Sequence, residues 1–174
     1  MIELEELQSY YPDYLKPFKK SMLTEYLQYK ILSIIYNSKF YDQFIFMGGT
    51  AIRIIHNNQR FSEDLDFDNK GLGEDNFIEI SKIVKNKLEL EGYNIEIKNT
   101  FKNAYRCFLK INDLIYNLKL SSHKEGKIDI RLDTEPQNFS YCPHKPFINK
   151  FGIFTQIYAV TVNLLLSQKN IRHH

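Results

Sequence analysis

Two cysteines, five prolines and seven glycines are scattered through 174 residues, and there is no tryptophan. Cys107 and Cys142 are too few and too isolated for a disulfide framework, so the chain reads as a cytoplasmic protein with reduced thiols. Cys142-Pro143-His144 offers two metal ligands where a structural zinc needs four, and reads as a turn. Neither sign of charge dominates: the formal net charge of +2 does not argue for a nucleic-acid partner or against one. No apolar run approaches the roughly 20 residues that cross a bilayer. The opening MIELEELQSYYPDYL is acidic where a signal peptide would be basic and then apolar, so no membrane association is expected. Internal repeats and low-complexity segments are also missing. What is present is 43% hydrophobic and 14% aromatic residues, enough for one globular domain spanning residues 1–174.

Apolar residues at helical spacing predict an amphipathic helix over about 21–37, carried by Leu23, Leu27, Ile31, Ile34 and Ile35. Phe44-Ile45-Phe46-Met47 is a short continuous apolar run, as expected of a strand buried on both faces. Gly48-Gly49 ends it, and a short helix is expected from Thr50 to about Asn57. Residues 64–68, DLDFD, alternate at period two like a half-buried strand. Asp75 is a plausible cap for a helix lined by Phe77, Ile80, Val84 and Leu88 that ends near Gly92. Three alternating runs follow, around Tyr93–Ile97, Tyr105–Ile111 and Tyr116–Leu120, and suit antiparallel hairpins or a meander. Lys127–Asp133 alternates again. A strand over about Tyr158–Val162 and a helix over Leu164–Asn170, capped by Asn163, complete the expectation. Helices first and strands after argue for an α+β fold, a sheet covered by helices.

The segment MGGTAIRIIHNNQRFSEDLDFD, residues 47–68, carries the chemistry. A Gly-Gly turn between strand and helix lets other groups approach the backbone and leaves N–H groups aimed outward, an anion site suited to phosphate. Alternate strand residues share a face about 6.6 Å apart, so Asp64 and Asp66 project together while Leu65 and Phe67 enter the core. Carboxylates this close repel unless a cation neutralises them, and hard oxygen ligands suit Mg²⁺ or Mn²⁺. Two such ions about 3.5–4 Å apart can stabilise both oxygens of an in-line displacement at phosphorus. Asp68 shares that face but borders the loop. Arg60 and Ser62 lie between turn and acids, available to triphosphate oxygens. If the strand with Asp129 pairs beside the DLD strand, three carboxylates converge, with Lys127 or Arg131 offsetting their charge. Asp133 lies on the same strand face as Asp129, so either can be the third acid.

GGT followed by R-x-S-x-D-x-D-F resembles the signature of the AbiEii/AbiGii toxin-type nucleotidyltransferases, within the DNA polymerase beta-like superfamily. The likeness extends upstream over EYLQYKILSIIYNSKFYDQFIF and downstream to KID at Lys127–Asp129. It reaches VTVNLLLSQK, which is similar to the family's lysine-bearing element, and so spans about residues 20–172. It implies a mixed, largely antiparallel sheet flanked by helices and Mg²⁺-dependent transfer of a nucleoside monophosphate from an NTP, with pyrophosphate release. It further implies that Gly48, Gly49 and Thr50 hold phosphate and that Asp64 and Asp66 bind metal. Asp129 would be the third acid and assist deprotonation of the acceptor, and Lys169 would contact the triphosphate. The family pattern continues into a helical region with a further Arg and Asp, which this sequence is expected to lack.

The resemblance makes the chain the expected toxin of a toxin–antitoxin or abortive-infection pair, with an antitoxin partner and RNA, tRNA first, as acceptor. A small-molecule acceptor, as in antibiotic-modifying nucleotidyltransferases, keeps the same chemistry. A module that holds NTP or a protein without catalysis is the alternative from another class, and the intact DxD argues against it.

Overall fold

The computed structural model describes residues 1–136 and 141–171, without the side chains of residues 136 and 168–171. Helix α1 (Leu4–Ser9) and a 3-10 turn (Asp13–Leu15) lead into α2 (Lys19–Tyr36), then β1 (Phe44–Met47), α3 (Gly48–His56) and β2 (Leu65–Asn69). There follow α4 (Glu74–Leu90), β3 (Asn94–Thr100), β4 (Tyr105–Asn112), α5 (Leu114–Asn117), β5 (Ile128–Pro136), β6 (Phe147–Lys150), β7 (Ile153–Gln156) and α6 (Val162–Ile171). Five strands form one sheet in the order β1-β2-β5-β4-β3, and β6 and β7 form a separate hairpin. Only the β2–β5 pair is parallel; the other pairings in the sheet are antiparallel. This is the mixed, largely antiparallel α+β sheet that the sequence led us to expect.

One sheet face carries the main core. Phe44, Phe46, Leu65, Phe67, Leu109 and Leu132 pack there against Leu23, Leu27 and Ile31 of α2 and Phe77, Ile80 and Val84 of α4. All four residues of β1 are buried because its other face is covered too, with Ile45 and Met47 meeting Val160 and Leu165. The chain beside Ala159 also covers the β1 edge, where Phe46 N–H donates to Tyr158 O (2.7 Å) and Val160 N–H to Phe46 O (3.0 Å). An edge strand is thereby closed to further pairing. Farther across, over β2, β5 and β4, the second face bears charged residues.

The structure departs from the expected elements in five places. Residues 116–120 do not form a strand: Asp113 takes a left-handed conformation (φ 62°) and starts α5, and Leu118 N–H bonds back to Leu114 O (3.0 Å). Leu114 and Ile115 are both buried, as neighbours on a helical turn that packs on the core can be. The strand expected over 158–162 shrinks to the Ala159 bridge, and the β6–β7 hairpin was not anticipated. Its signal is Gly152, which follows Phe151 in a two-residue turn with φ of 59° and 73°, the positive angles that a tight hairpin requires. Finally, α4 starts at Glu74 with Asp75 inside its first turn, and α6 starts at Val162 ahead of Asn163, so neither residue is a cap.

A buried ionic cluster ties the helical layer together. Glu25 of α2 accepts from Arg53 Nε of α3 (2.5 Å), from Lys150 Nζ (2.8 Å) and from Tyr11 Oη (2.8 Å). Arg53 also donates to Asn58 O (2.7 Å) and lies 4.3 Å from the centre of the Phe61 ring. Burial alone would raise the Glu25 carboxyl, but the hydrogen bonds and charges of Arg53 and Lys150 outweigh it and hold the pKa below the glutamate range. Breaking a buried pair strands the remaining charges, so Glu25→Ala is expected to cost roughly 3–5 kcal/mol, read as a lower urea midpoint with an unchanged slope. Because the folded pKa is depressed, this stabilisation is complete above the ordinary glutamate value of about 4.3 and is lost as pH falls through the lower folded value. The Glu25→Ala variant should therefore show a flatter acid-unfolding profile than the parent protein.

Candidate active site

The β1–α3 elbow and the acidic strand lie against each other. Gly48 has φ +80°, and a Cβ there would stand 2.5 Å from Asp66 Oδ2. Only glycine both adopts that backbone easily and leaves room for the carboxylate. At Gly49 a Cβ would come within 3.2 Å of Ser62 Oγ. Both contacts lie at the first turn of α3, whose N-cap position, Met47, offers no side-chain cap. A helix start favours anions.

Three hydrogen bonds fix the approach to β2. The buried Thr50 hydroxyl donates to Asp64 O, joining the elbow to the acidic strand. Gln28, buried in α2, donates through Nε2 to Ser62 O (2.8 Å) and Glu63 O (2.9 Å), so the loop that presents Ser62 and Asp64 is held from the core side. Sequence reasoning placed Thr50 on phosphate and did not single out Gln28. A buried glutamine in an apolar helix stripe, with its amide needing partners, was the available signal.

The β2–β5 register decides which acids meet. Leu65 pairs with Leu132 and Asp66 with Asp133, about 4.8 Å apart as neighbouring strands are. On the other side of β5, Asp133 is the register partner of Arg106 on β4. Asp66, Asp133 and Arg106 thus form a row across three strands. Arg106 Nε lies 2.9 Å from Asp133 Oδ2. In the next row, Arg131 Nη2 lies 2.9 Å from Asp64 Oδ2 while its Nε is 3.6 Å from Asp133 Oδ2. Three carboxylates therefore face two guanidinium groups.

The remaining residues singled out from the sequence fall in different places. Asp129, expected as the third acid, is exposed, four residues before Asp133, and opposite Lys110 of β4. It stands about 13 Å along the strand from Asp133, the other candidate, which the register sets beside Asp66. Asp129 instead lines a groove of about 290 Å³ with Lys20 and Ser62. Lys127 lies ahead of β5, exposed and farther still from Asp66. Arg60 is exposed; its backbone N–H donates to Asn58 Oδ1 (3.1 Å), and its side chain makes no ion pair among the described residues. Lys169 falls within α6, but its side chain is outside the described residues.

Asp68 does not border a loop as expected. It is buried and accepts a hydrogen bond from the Tyr141 hydroxyl. Burial, together with that bond and the Asp68 charge, pushes the Tyr141 phenol above its ordinary value, so it remains the donor. The Cys142-Pro143-His144 segment is a chain crossing: His144 and Ala159 exchange both backbone hydrogen bonds at 2.8 Å. Cys107 is also free, and burial pushes its thiol up to about 11, which makes it unreactive. Among the described residues no three His, Cys, Asp or Glu side chains form a ready-made metal cage.

The sheet with its flanking helices is a fold shared with solved structures. MenT4, a nucleotidyltransferase toxin from Mycobacterium tuberculosis, superposes with a TM-score of 0.68 at 13% identity, over 99% of this chain and 59% of its own. JHP933 from Helicobacter pylori does so with a TM-score of 0.57 at 16% identity, over 86% of this chain and 56% of its own. At these identities the likeness is one of fold, and the chain spans less than two thirds of either structure. The sequence itself sets the family. The model of the family described as nucleotidyl transferase AbiEii toxin, Type IV TA system, matches residues 30–169, and the chain belongs to that family. No curated protein matches it.

The contact between Gly48 and Asp66 generates a stability test. Gly48→Ala must meet both the positive φ and the carboxylate, whereas Gly71→Ala meets only a positive φ (+76°) with nothing within 4 Å. The first variant is expected to cost about 3 kcal/mol and the second about 1 kcal/mol by chemical denaturation. Equal costs would mean that Asp66 does not press on the elbow.

Proposed function

We propose that this domain transfers a nucleoside monophosphate from an NTP to an acceptor hydroxyl, with RNA, and tRNA first, as the acceptor. The observation that carries the reading is the direct contact of the Gly48–Gly49 elbow with Asp66, with Asp64 and Asp133 alongside. Backbone N–H groups at the start of α3 and the Ser62 hydroxyl receive the triphosphate. Asp64 and Asp66 would hold Mg²⁺ or Mn²⁺. The donor set fits: both are hard carboxylate oxygens, partly exposed, and such ions take one or two carboxylates plus substrate phosphates rather than a closed protein cage. When bound, the ion supplies charge stabilisation at the phosphoryl oxygens.

In the transfer the acceptor oxygen bonds to the α-phosphorus, the bond to the bridging oxygen of the leaving pyrophosphate breaks, and the hydroxyl proton passes to a base. Asp133 takes that base or third-acid role in place of Asp129, because it stands beside Asp66. Arg60, exposed and without an ion-pair partner among the described residues, is available to phosphate or RNA. Family membership supports a role as the toxin of a toxin–antitoxin pair, with an antitoxin as partner. No helix among the described residues is long and apolar enough to cross a membrane.

Incubation with each α-labelled NTP and total RNA, with and without Mg²⁺, tests the reading. A metal-dependent labelled tRNA band is expected, reduced at least about 100-fold by Asp64→Asn, Asp66→Asn or Asp133→Asn. Asp129→Asn should label near the parental rate. Label moving to an aminoglycoside panel instead of RNA would overturn the acceptor, and undiminished labelling by Asp64→Asn would overturn the site.

A further inference from the structure

The two arginines that face the acids are not equivalent. Among the described residues Arg106 forms an ion pair with Asp133 alone, at 2.9 Å. Arg131 spans two acids, close to Asp64 (2.9 Å) and looser to Asp133 (3.6 Å), and both it and Asp64 are 39% exposed. Arg131 thus neutralises Asp64, one of the two carboxylates read as holding a divalent ion, and engages an oxygen of Asp64 that such an ion would use. We propose that Arg131 is a resident counter-ion that holds Asp64 in the metal-free protein and is displaced from it by the divalent ion.

This inference rests on the reading of Asp64 and Asp66 as metal ligands. Displacement leaves no acid stranded: Asp64 exchanges a guanidinium for the ion, and Asp133 keeps Arg106. The released guanidinium, still on β5 next to the acids, acquires a new anion to bind when a triphosphate arrives with the ion. Repulsion between a guanidinium and a divalent ion at adjacent sites makes the ion alone a poor competitor, while nucleotide tips the exchange by giving Arg131 its partner. Metal and nucleotide therefore bind better together than apart, and Arg131 carries that coupling. It is a positioning residue that guards the site against ions arriving without substrate.

The test is Mn²⁺ titration of the whole chain followed by electron paramagnetic resonance of the free ion, with and without a non-hydrolysable NTP. Arg131→Met is expected to bind Mn²⁺ alone about tenfold tighter than the parent, and to lose most of the gain that nucleotide gives the parent. Arg131→Lys keeps a charge without the fork that spans two acids, so it should show a smaller gain; it also carries the test should the Met variant fail to fold. Asp64→Asn should lose Mn²⁺ in either background. If Asp64→Asn loses Mn²⁺ but neither Arg131 variant binds it more tightly, the counter-ion role is wrong and the metal site stands. If Asp64→Asn binds Mn²⁺ like the parent, the metal site is wrong and the counter-ion role with it.

Discussion

Asp66 and Asp133 stand side by side on the one parallel strand pair of the sheet, and like charges held so close repel unless positive charge lies among them. The rest of the candidate site answers that repulsion. Arg106 enters from β4 and Arg131 from β5 itself, so the compensating charges are built on the same rigid strands as the acids. Parallel pairing in turn requires a long crossover between β2 and β5, and α4, β3, β4 and α5 fill it. The core face of the same strands makes the register costly to change: a slip of one residue would drive Leu65 and Phe67 out of the core and the acids into it. Core packing thereby fixes the chemistry of the opposite face.

The elbow is coupled to this face by close packing rather than by charge. Gly48 has no side chain to hold Asp66 away, and Thr50 fastens α3 to the backbone of Asp64. Behind them, Gln28 and the Glu25–Arg53–Lys150 cluster anchor the loop and the far end of α3 to α2. A site that must orient a triphosphate gains from such support, since misplacement of reacting groups costs rate steeply. Each support pairs residues far apart in sequence, so the helical layer and the acidic face hold their geometry together.

Local pattern revealed the parts of this arrangement that depend on local pattern. The FIFM run, the Gly-Gly break and the DLDFD alternation gave β1, the elbow and β2, and the alternation along Lys127–Asp133 put Asp129, Arg131 and Asp133 on one face. What that pattern did not contain was the register between β2 and β5, which packing across the whole sheet sets. Period-two reasoning cannot separate Asp129 from Asp133, because both satisfy it; only pairing of Leu65 with Leu132 does. The burial of Asp68 was hidden for the same reason, since its partner Tyr141 lies 73 residues away. The false strand at Tyr116–Leu120 shows the converse error: alternation over so short a run also arises by chance within a helical turn and its exit.

Nucleotidyl transfer at this site requires the elbow and the DLD strand to hold a metal–triphosphate complex together. A crystal grown with Mn²⁺ and a non-hydrolysable NTP, recorded at a wavelength where manganese scatters anomalously, asks this directly. The predicted result is an anomalous peak coordinated by Asp64 and Asp66, with phosphate oxygens against the backbone of Gly48 and Gly49. Manganese bound elsewhere, as at Asp129 or at Cys142 and His144, with the elbow bare of phosphate, would contradict it.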